Sequence, residues 1–200
     1  MAAPVKPLTA VGLEEAALRY LERYAASVAQ VRRVLLERVR RAVAAGVGDA
    51  EQGGVWVAAL LARYQASGLL NDTAFAEAKT ASLRRRGASQ RKIQGWLAER
   101  GVAREDIRRA LDAEANAEAN ADANAETGAE TKAAIDQGPP ELRAAWALAR
   151  RRRLGPFRPP TQRLERRLKD LAVLARAGFS HTIARQVIDA PGEHGDNDES

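Results

Sequence analysis

One stretch of this chain returns in altered form elsewhere along it, and that recurrence limits the fold more than any other feature. Gly68-Leu-Leu-Asn-Asp-Thr-Ala-Phe-Ala-Glu77 leads into Leu83-Arg-Arg-Arg-Gly-Ala-Ser89, then Ile93, Leu97 and Arg100-Gly101. It contains a helix start, an apolar stripe, a cationic helix end with a glycine stop, and a second helix. Leu97 to Leu111 lines up with Leu174 to Ile188 at a constant offset of 77, as helix end, glycine stop, apolar residue, short turn and helix. Ala26-Ser27 with Val31 and Leu35 matches Ala88-Ser89 with Ile93 and Leu97 at an offset of 62. Helices this short cannot bury an apolar face alone and need their neighbours. The pattern therefore predicts an all-α fold built as a tandem array of three three-helix units. Aromatics at 4% and an excess of Ala, Leu, Arg and Glu point the same way.

The expected organisation is a disordered tail over 1–12, a first unit over 13–67 and a second over 68–112. An acidic Ala/Asn/Glu low-complexity linker follows over 113–140, then a third unit over 141–190 and a disordered acidic tail over 191–200. The linker has no large apolar side chain before Ile135, too little to offset the entropy of ordering it. In the first unit a helix over 13–25 would turn Ala17, Leu18, Leu21 and Tyr24 inward. Ser27 with Gln30 has capping-box spacing. Gly46, Gly48, Gly53 and Gly54 read as a loop before a helix carrying Val55, Trp56, Ala59, Leu60 and Tyr64. In the second unit Asn71 or Asp72 caps a helix with Phe75, Ala78 and Leu83 inward, and Gly87 ends it. In the third, Leu164, Leu168, Leu171 and Leu174 form one stripe.

Catalytic furniture is missing. The two histidines, His181 and His194, lack metal-site spacing, and no cysteine is present. The glycines at 46–54 have no Lys-Ser/Thr after them, so they are no phosphate loop. Ser27, Ser89 and Ser180 each precede a helix and read as caps rather than nucleophiles. No cofactor, no metal and no enzymatic activity are expected. Neither a signal peptide nor an apolar run of about 18 residues occurs, so a cytoplasmic chain without membrane contact is expected.

Charge is the remaining signal. The net +6 conceals two discrete basic blocks, residues 79–109 and 141–170, each with ten Lys/Arg against three acids. Between them, residues 112–137 carry seven acids and one Lys. Cations at a helix C-terminus gain only about 0.3–1 kcal/mol each from the dipole. That accounts for one or two arginines per end, not for Arg84–Arg86 and Arg150–Arg153 in a row. A polyanion or an acidic groove would relieve their repulsion. The candidate contacts are Arg84, Arg85, Arg86, Arg91 and Lys92, with Arg150, Arg151, Arg152, Arg153, Arg163, Arg166 and Arg167. Trp56, Trp96 and Trp146 lie in apolar stripes and are assigned to packing rather than base stacking.

The chain resembles the RecX family, regulators of the RecA recombinase. The resemblance rests on Gly68-Leu-Leu-Asn-Asp72 with Phe75-Ala76, on Arg85-Arg86-Gly87, Ile93, Leu97 and Gly101, and on Leu174, Ala175, Gly178-Phe179-Ser180 and Ile183. It departs from the family in having Gln30 where Glu is common, in the inserted linker, and in the Pro-rich stretch Arg150–Pro160. The resemblance implies an elongated, curved array that binds the RecA–DNA filament; a monomer is the simplest expectation for its own state. It also implies inhibition of strand exchange, ATP hydrolysis and repressor cleavage, and so a role in recombination, repair and the SOS response. DNA contact, single- or double-stranded, would be weak or made through the filament. The alternative is a sequence-nonspecific basic nucleic-acid-binding protein with no dedicated protein partner.

Overall fold

The structure, a computed structural model, describes residues 6–123 and 138–191, the stretch 118–123 by its backbone alone. Residues 1–5, 124–137 of the expected linker and 192–200 of the expected tail lie outside the described residues; the expected linker up to Ala123 is helical. The described elements are all helical: α1 (Ala10–Leu21), α2 (Val28–Ala44), α3 (Ala50–Ala66), α4 (Asp72–Arg85), α5 (Gln90–Ala98), α6 (Arg104–Ala123), α7 (Pro140–Arg152), a 3-10 turn (Gly155–Phe157), α8 (Pro160–Arg176) and α9 (His181–Ile188). None of these helices is long and apolar enough to cross a membrane.

The chain forms two compact units, Met1–Ala76 with Leu97–Ile107, and Glu77–Trp96 with Arg108–Ser200. Neither coincides with a sequence repeat, because α4, α5 and α6 are each divided between the two. Each unit instead holds a joint between one repeat and the next. In the first unit the Ser27 hydroxyl accepts the Gln30 N–H and donates to the Arg100 carbonyl, just before Gly101. The Val28 N–H beside it donates to the Asp72 carboxylate at 2.8 Å. In the second unit Ser89, 62 residues on, accepts the Lys92 N–H and donates to the Ala177 carbonyl at 2.6 Å, just before Gly178. There the Gln90 N–H donates to the Glu141 carboxylate at 2.9 Å. In the first two repeats the second helix is thus capped by its own serine, and its first free N–H is met by a carboxylate at the start of the next repeat's first helix. Ser180 caps α9 in the same manner, accepting the Ile183 N–H.

The first core gathers Leu13 and Ala17 of α1, Val31, Leu35 and Val39 of α2, and Val57, Leu60, Leu61 and Tyr64 of α3. Several sequence expectations are corrected here. Thr9 accepts the Gly12 N–H and starts α1 at Ala10, and Leu8 bonds Val47, so the N-terminal tail is shorter than 1–12. Leu13 and Ala17 face inward, whereas Leu18 and Tyr24 are exposed. Gly53 and Gly54 lie inside α3, which Asp49 caps by accepting the Gln52 N–H. A methyl on Gly53 would come within 2.6 Å of Val39, so glycine here permits helix packing rather than a turn. The face of α3 that packs inward carries Val57 and Leu61 and leaves Val55 exposed.

The second core gathers Leu142, Ala145, Leu148 and Ala149 of α7, Leu154 just before the 3-10 turn, Leu171 and Leu174 of α8, Phe179, and Ala184, Val187 and Ile188 of α9. Leu164 and Leu168, expected inside, are 86% and 74% exposed. Asp170 takes their place on the buried side: it accepts the Gly155 N–H at 2.9 Å and two bonds from Arg158 at 2.7 and 2.8 Å.

Candidate functional site: a cationic cleft

The second compact unit contains a cleft of about 500 Å³ lined by Leu83, Arg86, Gly87, Ala88, Lys92, Leu148, Arg151, Arg152, Val173, Arg176 and Ala177. Five of these residues are cations, and no acid is among the described residues that line the cleft. Arg86 and Lys92 come from the first basic block, and Arg151 and Arg152 from the second. Arg176 ends α8 and was not among the sequence candidates. It could have been found from the same signal that marked the others, a cation on the last turn before a glycine stop.

Three contacts set the walls. Gly87, at φ +73, lies against α7, so that a methyl there would meet the Leu148 nitrogen at 2.7 Å and the Ala144 oxygen at 2.8 Å. Ser89 ties the start of α5 to the end of α8 through Ala177. The Arg84 guanidinium pairs with Glu141 and also donates to the Ala88 carbonyl, joining the α4–α5 turn to the start of α7.

The cleft is formed by helix C-termini: α4 contributes Arg86 just past its end, α7 its last two residues and α8 its last. A helix C-terminus carries roughly half a negative charge. Against these three ends stands the positive N-terminus of α5, whose first turn carries Lys92, so about 1 of the five positive charges is offset and roughly +4 remains. Dipole stabilisation therefore leaves most of the charge uncompensated, and an anion is the natural complement.

The structure sorts the other sequence candidates. Arg84 is 7% exposed and belongs to the scaffold, so its placement among surface contacts is corrected. The physical reason is that Ala76, Thr80 and Arg84 fall at successive i,i+4 positions, all buried. Arg163 is half-buried and donates to the Arg158 and Pro156 carbonyls. Arg167 makes a two-bond pair with Asp189, which holds that carboxyl below its ordinary value. Arg150 sits 5.6 Å from the Phe157 ring. Arg153 ends α7 in the left-handed conformation. Arg85, Arg91 and Arg166 are exposed outside the cleft. Trp146 packs edge-on against Phe157 and is half-buried, a packing role.

Tandem three-helix repeats with matched joints and a concentrated cationic cleft define a helical binding scaffold. Comparison with known proteins places that scaffold. Residues 71–111 match the family model for RecX, second three-helix domain. The chain is 45% identical over 179 residues to the regulatory protein RecX of Myxococcus xanthus (strain DK1622), covering 89% of this chain and 84% of that protein. It is 33% identical over 119 residues to the regulatory protein RecX of Agrobacterium fabrum (strain C58 / ATCC 33970), covering 60% of this chain and 51% of that protein. No solved structure matches it. The chain belongs to the RecX family of regulatory proteins.

Proposed function

We propose that this chain is a non-enzymatic, cytoplasmic regulator that binds the RecA–DNA filament and inhibits its recombinase, ATPase and co-protease activities. Family membership supplies the partner, and the cleft supplies the chemistry. The observation that carries the reading is that two basic blocks far apart in sequence converge on one cleft with no acid among its described lining residues. A filament offers phosphates and acidic protein surface together, which suits such a surface better than either component alone.

The test is RecA ATPase on single-stranded DNA with substoichiometric amounts of the protein added. Inhibition well below one molecule per RecA is expected. Unchanged hydrolysis at every ratio would sink the proposal. Titration against free DNA, free RecA and preassembled filament separates the rival: a nonspecific nucleic-acid binder would hold free DNA as tightly as filament.

A further inference from the structure

We propose that the acidic stretch 192–200 seats in the cationic cleft as a built-in competitor, so that any outside polyanion has to displace it. The proposal rests on the functional reading above only in taking the cleft as the working surface.

The charges come first. Between residues 138 and 191 the chain has four acids, Glu141, Glu165, Asp170 and Asp189, and each is paired with an arginine: Arg84, Arg166, Arg158 and Arg167 in turn. The cleft cations are the opposite case. Among the described residues, none of Arg86, Lys92, Arg151, Arg152 and Arg176 has an acid partner. The next acids along the chain are Glu193, Asp196, Asp198 and Glu199, four in nine residues with no Lys or Arg among them. Four carboxylates thus follow directly on a unit that leaves about four positive charges uncompensated. The stretch 124–137 is a weaker complement, with three acids and one Lys over fourteen residues.

Reach comes second. Ser180 starts α9 just past the end of α8, and Asp189, just past the end of α9, pairs with Arg167 of α8. The second helix therefore runs back along the first, and the chain leaves it level with Arg167, nine residues before Arg176. Nine residues of helix span about 14 Å. Half a circuit of a helix about 11 Å across adds about 17 Å, for a path of roughly 22 Å to the cleft. Nine extended residues cover about 30 Å. Lys169, exposed on α8 and in phase with Arg176 at i+7, offers a contact on the way. A tether this short gives an effective concentration in the millimolar range. A segment holding the cleft with a millimolar Kd then weakens an outside ligand about three- to tenfold. The contact is electrostatic, so it fades as salt shortens the Debye length.

The experiment compares the full chain with a chain ending at Pro191 and with a full-length variant carrying Glu193→Gln, Asp196→Asn, Asp198→Asn and Glu199→Gln. The probe is a fluorescent oligothymidylate strand, read by anisotropy between about 50 and 200 mM salt. Both altered chains should bind about three- to tenfold tighter than the full chain at the low end, with the gap narrowing at the high end. Equal affinities overturn the proposal, and so does tightening on truncation alone, which would mark bulk rather than charge. Seating itself is read without any strand, by carbodiimide coupling and peptide mass spectrometry. Lys92 should couple to a carboxylate within 193–199, and excess strand should suppress the product. No such product, or coupling of Lys92 to Glu126 or Glu130 instead, overturns the assignment of this stretch. RecA ATPase is scored in parallel. If the full chain inhibits and all three chains bind alike, the competitor falls and the regulator reading stands. If Lys92 couples as expected while no chain affects RecA, the competitor stands and the regulator reading falls.

Discussion

Gly87→Ala offers the sharpest check on how the cleft is built. Gly87 and Gly68 have nearly the same backbone, φ +73 and φ +77, but opposite surroundings. A methyl at Gly68 meets nothing within 4 Å, whereas at Gly87 it would meet backbone atoms of α7 at 2.7 and 2.8 Å. The left-handed conformation alone costs an L-residue about 1–2 kcal/mol, less the ~0.4–1 kcal/mol gained by restricting the unfolded chain. Arg153, at φ 52 on the surface, shows that this chain tolerates a side chain in that conformation where space is open. Gly68→Ala should therefore cost about 1 kcal/mol. Gly87→Ala adds forced displacement of a packed helix, typically about 1–3 kcal/mol, for a total of about 3. Urea unfolding followed by circular dichroism, each variant read on the transition of its own compact unit, gives the two values. Since α7 carries Arg151 and Arg152, Gly87→Ala should also weaken strand binding while Gly68→Ala leaves it intact. Stabilities within about 0.5 kcal/mol of each other would refute the claim that Gly87 exists for close approach.

Two further outcomes follow from the joints. Arg84 and Glu141 differ in burial, 7% against 22% exposed, so breaking their pair should be asymmetric. Glu141→Gln leaves a buried guanidinium facing a neutral amide and should cost about 3 kcal/mol, whereas Arg84→Met leaves a carboxylate that still accepts the Gln90 N–H and should cost less. The double variant should recover about 2 kcal/mol, and additive losses in a double-mutant cycle would show that the pair does not couple. At the other joint, burial holds the Asp72 carboxyl above its ordinary value of 3.8, against the Val28 N–H, with Asp106 pushing the same way as burial. A raised acid prefers its protonated form in the fold, so its contribution is full below the ordinary value and lost as pH rises through the raised one. Asp72→Asn keeps an acceptor for Val28 without the charge. It should gain stability relative to wild type as pH rises from 3 to 7, and a flat or falling difference would contradict the burial argument.

What the sequence made legible was local or periodic. The caps at Ser27, Ser89 and Ser180 need only a hydroxyl before a helix, and the offset of 62 between the first two, with that of 77 between Leu97 and Leu174, exposed the repeat. Leu171 and Leu174 were placed correctly, but Leu164 and Leu168 were not, because a 17-residue helix has room for two stripes and hydropathy alone does not rank them. The buried phase of α8 passes through Asp170, whose partner Arg158 and Gly155 N–H lie outside the helix. Asp72 and Glu141 escaped notice for a similar reason: each reads as an ordinary first-turn acid, and its function is to meet an amide in the neighbouring repeat. Arg84 was hidden in a run of three arginines that composition treats as equivalent. Only its phase with Ala76 and Thr80 distinguishes it, and that phase has meaning once the buried side of α4 is known.

The middle repeat takes part in both joints. Its residues serve both compact units. Asp72, Phe75, Leu97 and Gly101 belong to the first, while Gly87, Ser89 and Ile93 belong to the second. A terminal repeat has a neighbour on one side only, so fewer of its positions are fixed by contact. In the middle copy, a substitution that suits one joint must also leave the other intact. The cleft lies within the second compact unit, with Gly87 and Ser89 anchoring its walls, and its arginines are carried on helix ends that this joint holds in place. A binding surface built this way depends on correct docking between repeats, so variants that loosen the second joint should lose affinity without any cleft residue being touched.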